Sequence, residues 1–115
     1  MTRWITSKPR SGRNVLSEAD WQAEVVEAAR HTGWTHFHVH DSRHSPSGWP
    51  DLALVRERLV MVELKRADGK TSVAQDRWLA LLARAGVEVY VWRPQDREHM
   101  TRILSMRKDR KRGEA

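Results

Sequence analysis

Gly48-Trp49-Pro50-Asp51-Leu52-Ala53-Leu54-Val55-Arg56-Glu57-Arg58-Leu59-Val60-Met61-Val62-Glu63-Leu64-Lys65 decides how this chain folds. Two short apolar runs, 52–55 and 59–62, flank the charged triplet Arg56-Glu57-Arg58. Short runs rich in Val and Leu and preceded by Gly and Pro are strand-like, and a three-residue connection is a common hairpin length. With the turn centred on Glu57, Val55 pairs with Leu59, and the same register sets Asp51 opposite Glu63. Side chains alternate along a strand, so Asp51, Ala53 and Val55 share one face, as do Leu59, Met61, Glu63 and Lys65. Directly opposed Cβ atoms lie about 4.5–5.5 Å apart. Two carboxylates so placed repel each other unless something positive lies between them, and a hard divalent cation is the usual answer. Lys65, two residues beyond Glu63, reaches the same spot.

Around this hairpin the chain has room for one core. Its 115 residues, 39% hydrophobic and 31% charged, have the composition of a single soluble domain. No stretch approaches the length of apolar residues that spans a bilayer, and the first residues lack an apolar signal core. The expectation is a cytoplasmic protein with no membrane contact. With no cysteine, disulfides and thiolate metal sites are excluded.

The net charge of +6 is unevenly placed. Arg3, Lys8, Arg10 and Arg13 stand in residues 1–13 without an acid, and Arg107, Lys108, Arg110, Lys111 and Arg112 outnumber Asp109 and Glu114 in the tail. The body between them is near neutral. Basic arms bind phosphate backbones through counterion release; the plainer reading is two solvated ends that aid solubility. Residues 1–16 read as a flexible basic lead-in in which only Trp4 and Ile5 invite docking, 17–106 as the domain, and 107–115 as a basic tail.

Ser17 caps a first helix that Gly33 ends, with Trp21, Val25, Ala28 and Ala29 as its apolar stripe. Glu18 and Gln22 fall on the same stripe, so they either point toward the metal or decorate a half-exposed first turn. Residues 34–40 alternate as a half-buried strand, Phe37 and Val39 on one side and His36, His38 and His40 on the other. Three histidines suit zinc by chemistry, but their span on a strand is too long for one ion. The polar loop 41–48 offers Ser42, Arg43 and Ser47 as phosphate contacts or serves as a plain connector. Gly69-Lys70-Thr71-Ser72 imitates the end of a P-loop, yet Leu64 occupies the place of the required first Gly, so a nucleotide site is rejected. Thr71 or Ser72 caps a second helix to about Ala85, with Gln75, Trp78, Leu79 and Leu82 on its inner stripe. Residues 87–92 form a last strand that Pro94 stops, and 95–106 close the domain as a helix with Met100, Ile103 and Leu104 inward. The order is α-β-β-β-α-β-α. A right-handed crossover through the second helix makes the last strand parallel to its partner, which gives a mixed four-stranded sheet flanked by helices, an α/β fold.

Pro50-Asp51 followed by Glu63-Leu64-Lys65 resembles the motif of the PD-(D/E)xK nucleases. The run Gly48 to Leu52, Gln75 and the strand from Gly86 to Trp92 resemble the VRR-NUC branch, above all its small stand-alone phage and bacterial members. The likeness covers roughly Ser17 to Leu104. It implies a restriction-endonuclease-like core and Mg²⁺- or Mn²⁺-dependent hydrolysis of DNA phosphodiesters. It implies Asp51, Glu63 and the Leu64 backbone carbonyl as metal ligands, with Gln22 or Glu18 as the auxiliary ligand from the first helix. Lys65 positions or deprotonates the attacking water and meets charge developing on the phosphorane. Gln75 supports Lys65 or a substrate phosphate. His38, Ser42, Arg43, Ser47 and Lys70 are candidate substrate contacts. The resemblance also raises branched or junction DNA as substrate, a homodimer, and a phage gene acting in a bacterial host's cytoplasm. Two other readings stand beside it: a DNA-binding module with the fold but no cleavage, and an RNA or protein partner stacked on Trp49 and Trp92.

Overall fold

The computed structural model describes residues 4–12, 15–39 and 47–108. The elements are α1 (Glu18–His31), β1 (Thr35–His38), β2 (Leu52–Val55), β3 (Leu59–Leu64), α2 (Val73–Arg84), β4 (Glu88–Trp92) and α3 (Arg97–Ser105), with a 3₁₀ turn (Pro94–Asp96) before α3. The sheet runs β1-β2-β3-β4, antiparallel in its first two pairings and parallel in the third. This is the mixed sheet expected from the sequence. Val55 pairs with Leu59 and Leu52 with Val62, so the hairpin register is the expected one.

Alternation divides the core by sheet face. Leu52, Leu54, Val60, Val62, Leu64 and Trp92 meet Trp21, Val25 and Ala29 of α1 and Met100 and Leu104 of α3. On the other face Met61, Val89 and Val91 meet Leu79 of α2. Ser17 accepts from the Asp20 N–H at the start of α1, and Ser72 and Gln75 form a capping box at the start of α2.

The first strand departs from expectation. Phe37, on the apolar side of what reads as a half-buried strand, is 66% exposed. β1 is the edge of the sheet, and α2 packs over β4 at the other side, which leaves the strip Phe37, Val55 and Leu59 uncovered. Trp34, one residue before the strand, takes the buried position instead and donates its indole N–H to the Leu104 carbonyl at 3.0 Å.

The charged hairpin turn is a packing element. Arg56 donates to the carbonyls of Thr32 (2.8 Å) and Leu104 (2.9 Å), and Arg58 donates to those of Ile103 (3.1 Å) and Met106 (3.0 Å). Two guanidinium groups thus satisfy the carbonyls left open where α3 ends. The Arg56 hydrogen bond holds the Glu57 carboxyl well below the usual carboxylate range.

The described part of the lead-in, 4–12, is tied to the body well beyond Trp4 and Ile5. Ile5 forms a parallel bridge with Val91, and the Val91 N–H donates to the Trp4 carbonyl at 3.0 Å. Further on, the Arg10 N–H donates to the Ala67 carbonyl at 2.7 Å. The segment crosses the free edge of β4 and covers backbone groups that an edge strand would otherwise expose.

Candidate active site

Glu63, Lys65 and Asp51 meet at the end of the sheet where β3 and β4 finish and β2 begins. Gly48 sets up the approach: its φ of +88° and its packing against Ala74 bring the chain over the start of α2. Pro50 is buried next, and Asp51 follows. The Asp51 Oδ2 accepts the Leu64 N–H at 3.0 Å, which fixes that carboxylate against β3.

Glu63 is only 1% exposed. Its Oε2 accepts the amide N–H of Gln75 at 2.9 Å and lies 3.6 Å from the Lys65 ammonium. Its Oε1 is buried without a hydrogen-bond donor. Burial, the Asp51 charge and a hydrogen bond shared with Asp51 push the Glu63 carboxyl up to about 9, against the lowering effect of Lys65. The two carboxylates come within hydrogen-bonding reach of each other, and the single Lys65 ammonium leaves Glu63 Oε1 unmet, a gap that a proton or a further cation would fill. The donor set, two hard carboxylate oxygens with one orphaned and buried, fits a divalent ion of the Mg²⁺ class. Among the described residues no cluster of three His, Cys, Asp or Glu side chains exists, so a full coordination sphere would draw on backbone oxygen or water.

The remaining candidates divide by position. Gln75 lies where its helical spacing placed it, but its amide nitrogen goes to Glu63 and not to Lys65. Its own Oε1 accepts the Ser72 N–H at 2.8 Å, so the capping box that starts α2 also orients the Glu63 contact. Of the two α1 candidates, Glu18 is exposed, yet its charge is felt at Glu63; Gln22 is half-buried and, among the described residues, makes no side-chain hydrogen bond to the pair. The register pairs His38 with Leu52, on the α1 face of the sheet, whereas Glu63 faces α2. Ser47 is exposed beside Trp78 and Arg77, Lys70 is exposed on the turn after Lys65, and Ser42 and Arg43 lie outside the described residues. Trp92 is fully buried, and its indole packs with Tyr90 and His99, which removes it as a stacking platform; Trp49 is half-buried edge-on to Trp78.

The sequence did not single out Arg93, Gln95 and Asp96. Arg93 and Asp96 are 3% and 4% exposed, and they hold the lead-in segment against the turn that follows Lys65. The only local signal was an Arg-Pro-x-Asp run closing β4.

A mixed sheet in this order, with two carboxylates and a lysine at one end, defines a nuclease-type fold consistent with the PD-(D/E)xK superfamily. The family profile of the VRR-NUC domain matches residues 3–96, and the chain belongs to that family. A solved structure described as a VRR_NUC domain protein superposes with a TM-score of 0.65 at 18% identity, covering 79% of this chain and 87% of its own, a likeness of fold. No curated protein matches the chain. The match begins at residue 3, so the docked segment before α1 lies within the family domain.

Proposed function

We propose that the protein is a DNA endonuclease that hydrolyses phosphodiester bonds with Mg²⁺ or Mn²⁺. The observation that carries this is Glu63: a buried carboxylate with an undonated oxygen, set against a second carboxylate with an ammonium beside them. Asp51 and Glu63 would hold the ion, with the Leu64 carbonyl as a third ligand, and Gln22 or Glu18 would act only through a bound water. A bound divalent ion supplies Lewis-acid activation of water and phosphate.

The chain's own groups do the rest. Gln75 holds Glu63 Oε2 in place, and the Leu64 N–H holds Asp51. Lys65 donates toward phosphate oxygens as negative charge builds and orients the attacking water. Its place 3.6 Å from Glu63 Oε2, at the edge of the carboxylate pair, suits it to charge stabilisation. A non-cleaving DNA-binding module is the competing reading. Burying a carboxylate with an unmet oxygen is costly unless the site serves a cation, which favours the enzyme.

The test is incubation of supercoiled, linear, nicked and branched DNA with Mg²⁺, Mn²⁺ or EDTA. Metal-dependent nicking should disappear in Asp51→Ala and in Lys65→Ala. If the parent binds but never cuts, and both variants bind equally well, the module reading replaces the enzyme.

Preference for branched DNA and a two-fold dimer form the finer part of the proposal. The uncovered apolar strip Phe37, Val55 and Leu59 supports a second copy seated on that face. Light scattering should give twice the chain mass, and Phe37→Asp should halve it; a monomeric parent refutes this part. The compartment that fits is the cytoplasm, a bacterial host's if the gene is a phage's. Among the described residues no helix is long and apolar enough to cross a membrane.

A further inference from the structure

We propose that the segment Ser7 to Arg10 and the turn Arg66 to Lys70 form one rigid phosphate-gripping wall beside the carboxylates, which holds the DNA backbone next to the scissile bond. The inference rests on the nuclease reading for its partner, but its evidence is separate.

The two loops are clamped by three residues that follow β4. Arg93 donates from Nε to the Gly69 carbonyl and from Nη1 to the Ser7 carbonyl, both at 2.9 Å. Gln95 donates from its amide to the carbonyls of Lys8 and Ala67, both at 2.9 Å. The Asp96 carboxylate accepts the hydroxyls of Thr6 and Ser7 at 2.7 Å each and the Arg93 N–H at 2.8 Å. A bond from the Arg10 N–H to the Ala67 carbonyl closes the clamp. Burying a guanidinium and a carboxylate to join two surface loops is expensive unless their relative position matters.

What the clamp holds in register is positive charge. Lys8, Arg10 and Lys70 are exposed and make no ion pair among the described residues, while Arg66 is half-exposed and pairs with Asp68 at 3.3 Å. The nearby acid, Asp96, is already saturated by donors. These cations also sit at the correct end of the molecule. The turn continues directly from Lys65, and a Cβ on Gly69 would lie 3.3 Å from the Lys65 Cβ, so the turn folds back onto the Lys65 stem. The C-terminal tail starts elsewhere: the Lys108 N–H binds Glu57 at the hairpin turn, six residues of strand, roughly 20 Å, from Glu63. An extended polyanion whose reacting phosphate faces Lys65 therefore meets the wall with its neighbouring phosphates before it reaches Arg107 or Lys108. DNA is the occupant because phosphates at regular spacing match a row of cations that point into solvent.

The test uses the full chain, with DNA binding read by anisotropy in EDTA over a salt series and cleavage read with Mg²⁺. Lys8→Ala/Arg10→Ala should lower the slope of log affinity against log salt by about 2, near 0.9 per lost phosphate contact, and weaken binding about tenfold or more. KM should rise in proportion while kcat stays within about twofold. The Tm should not change, because both side chains are exposed. A slope and affinity equal to the parent's, with an unchanged Tm, overturns the proposal. If the parent binds DNA with a wall-dependent slope but never cuts, the wall stands and the nuclease reading falls; if it cuts with a wall-independent slope, the reverse holds.

Discussion

Glu63→Gln should melt about 8 °C above the parent in EDTA at pH 8 and, with Mg²⁺ added, show DNA cleavage reduced by about 1,000-fold or more. The stability gain follows from burial. At 1% exposure the carboxylate has an oxygen without a donor and a second carboxylate nearby, so its ionised form is disfavoured. An amide of the same shape still accepts from Gln75 and carries no charge, and relief of a few pKa units corresponds to about 2 kcal/mol after allowance for relaxation. The sign can be checked by pH. Glu63 is raised in the folded state from 4.5 to about 9, so the folded protein binds more protons across that window and loses stability as pH rises through it. The advantage of the variant should therefore be absent near pH 4 and largest above pH 9. Added Mg²⁺ or Mn²⁺ should raise the parent's Tm and leave the variant's almost unmoved. A variant that melts at or below the parent at pH 8 would remove the argument that this site is strained to receive a cation.

The second large effect lies at Gly48, which has no side chain to offer the chemistry. Its φ is +88°, and a Cβ there would stand 2.4 Å from the Ala74 carbonyl carbon, 2.5 Å from its oxygen and 2.7 Å from the Gln75 nitrogen. All three are backbone atoms of α2's first turn, which cannot rotate away as a side chain tip would. Gly48→Ala should cost about 3 kcal/mol or more, the sum of left-handed strain and displacement of that turn. Gly86→Ala is the matched control. Gly86 has a φ of +89° but open space where its Cβ would be, so only the strain of about 1 kcal/mol applies. Cleavage should also fall in Gly48→Ala, since the displaced turn carries the Gln75 amide away from Glu63. Denaturant melts placing the two alanine variants within 1 kcal/mol of each other would show that the contact is soft.

The hairpin shows why so much of the site could be read in advance. A two-residue period and a three-residue turn bring 51 and 63 together with no knowledge of the rest of the chain. The i, i+3, i+4, i+7 spacing likewise set Gln75 on the inward side of α2. Local rules reach that far because each concerns neighbours on one element or on two adjacent strands. Phe37 lies beyond them. Its alternation is that of a half-buried strand, and only the placement of α2 over the far side of the sheet leaves it in solvent. The Arg56–Arg58 turn is similar: a charged triplet reads as solvated until the end of α3 arrives with open carbonyls. Residues 4–12 read as a lead-in because Ser, Pro and Gly carry no period, while their anchors, Arg93, Gln95 and Asp96, stand more than 80 residues away.

Sequence alone determined the strand pairing, the helix caps, the parallel crossover and the meeting of Asp51, Glu63 and Lys65, because these follow from backbone periodicity and turn length. Tertiary structure decided which partner each polar group took: Gln75 bound Glu63, the Leu64 N–H bound Asp51, and one oxygen of Glu63 received no donor. Hydrogen bonds between distant elements depend on packing that no local period encodes, and the character of the site depends on those bonds.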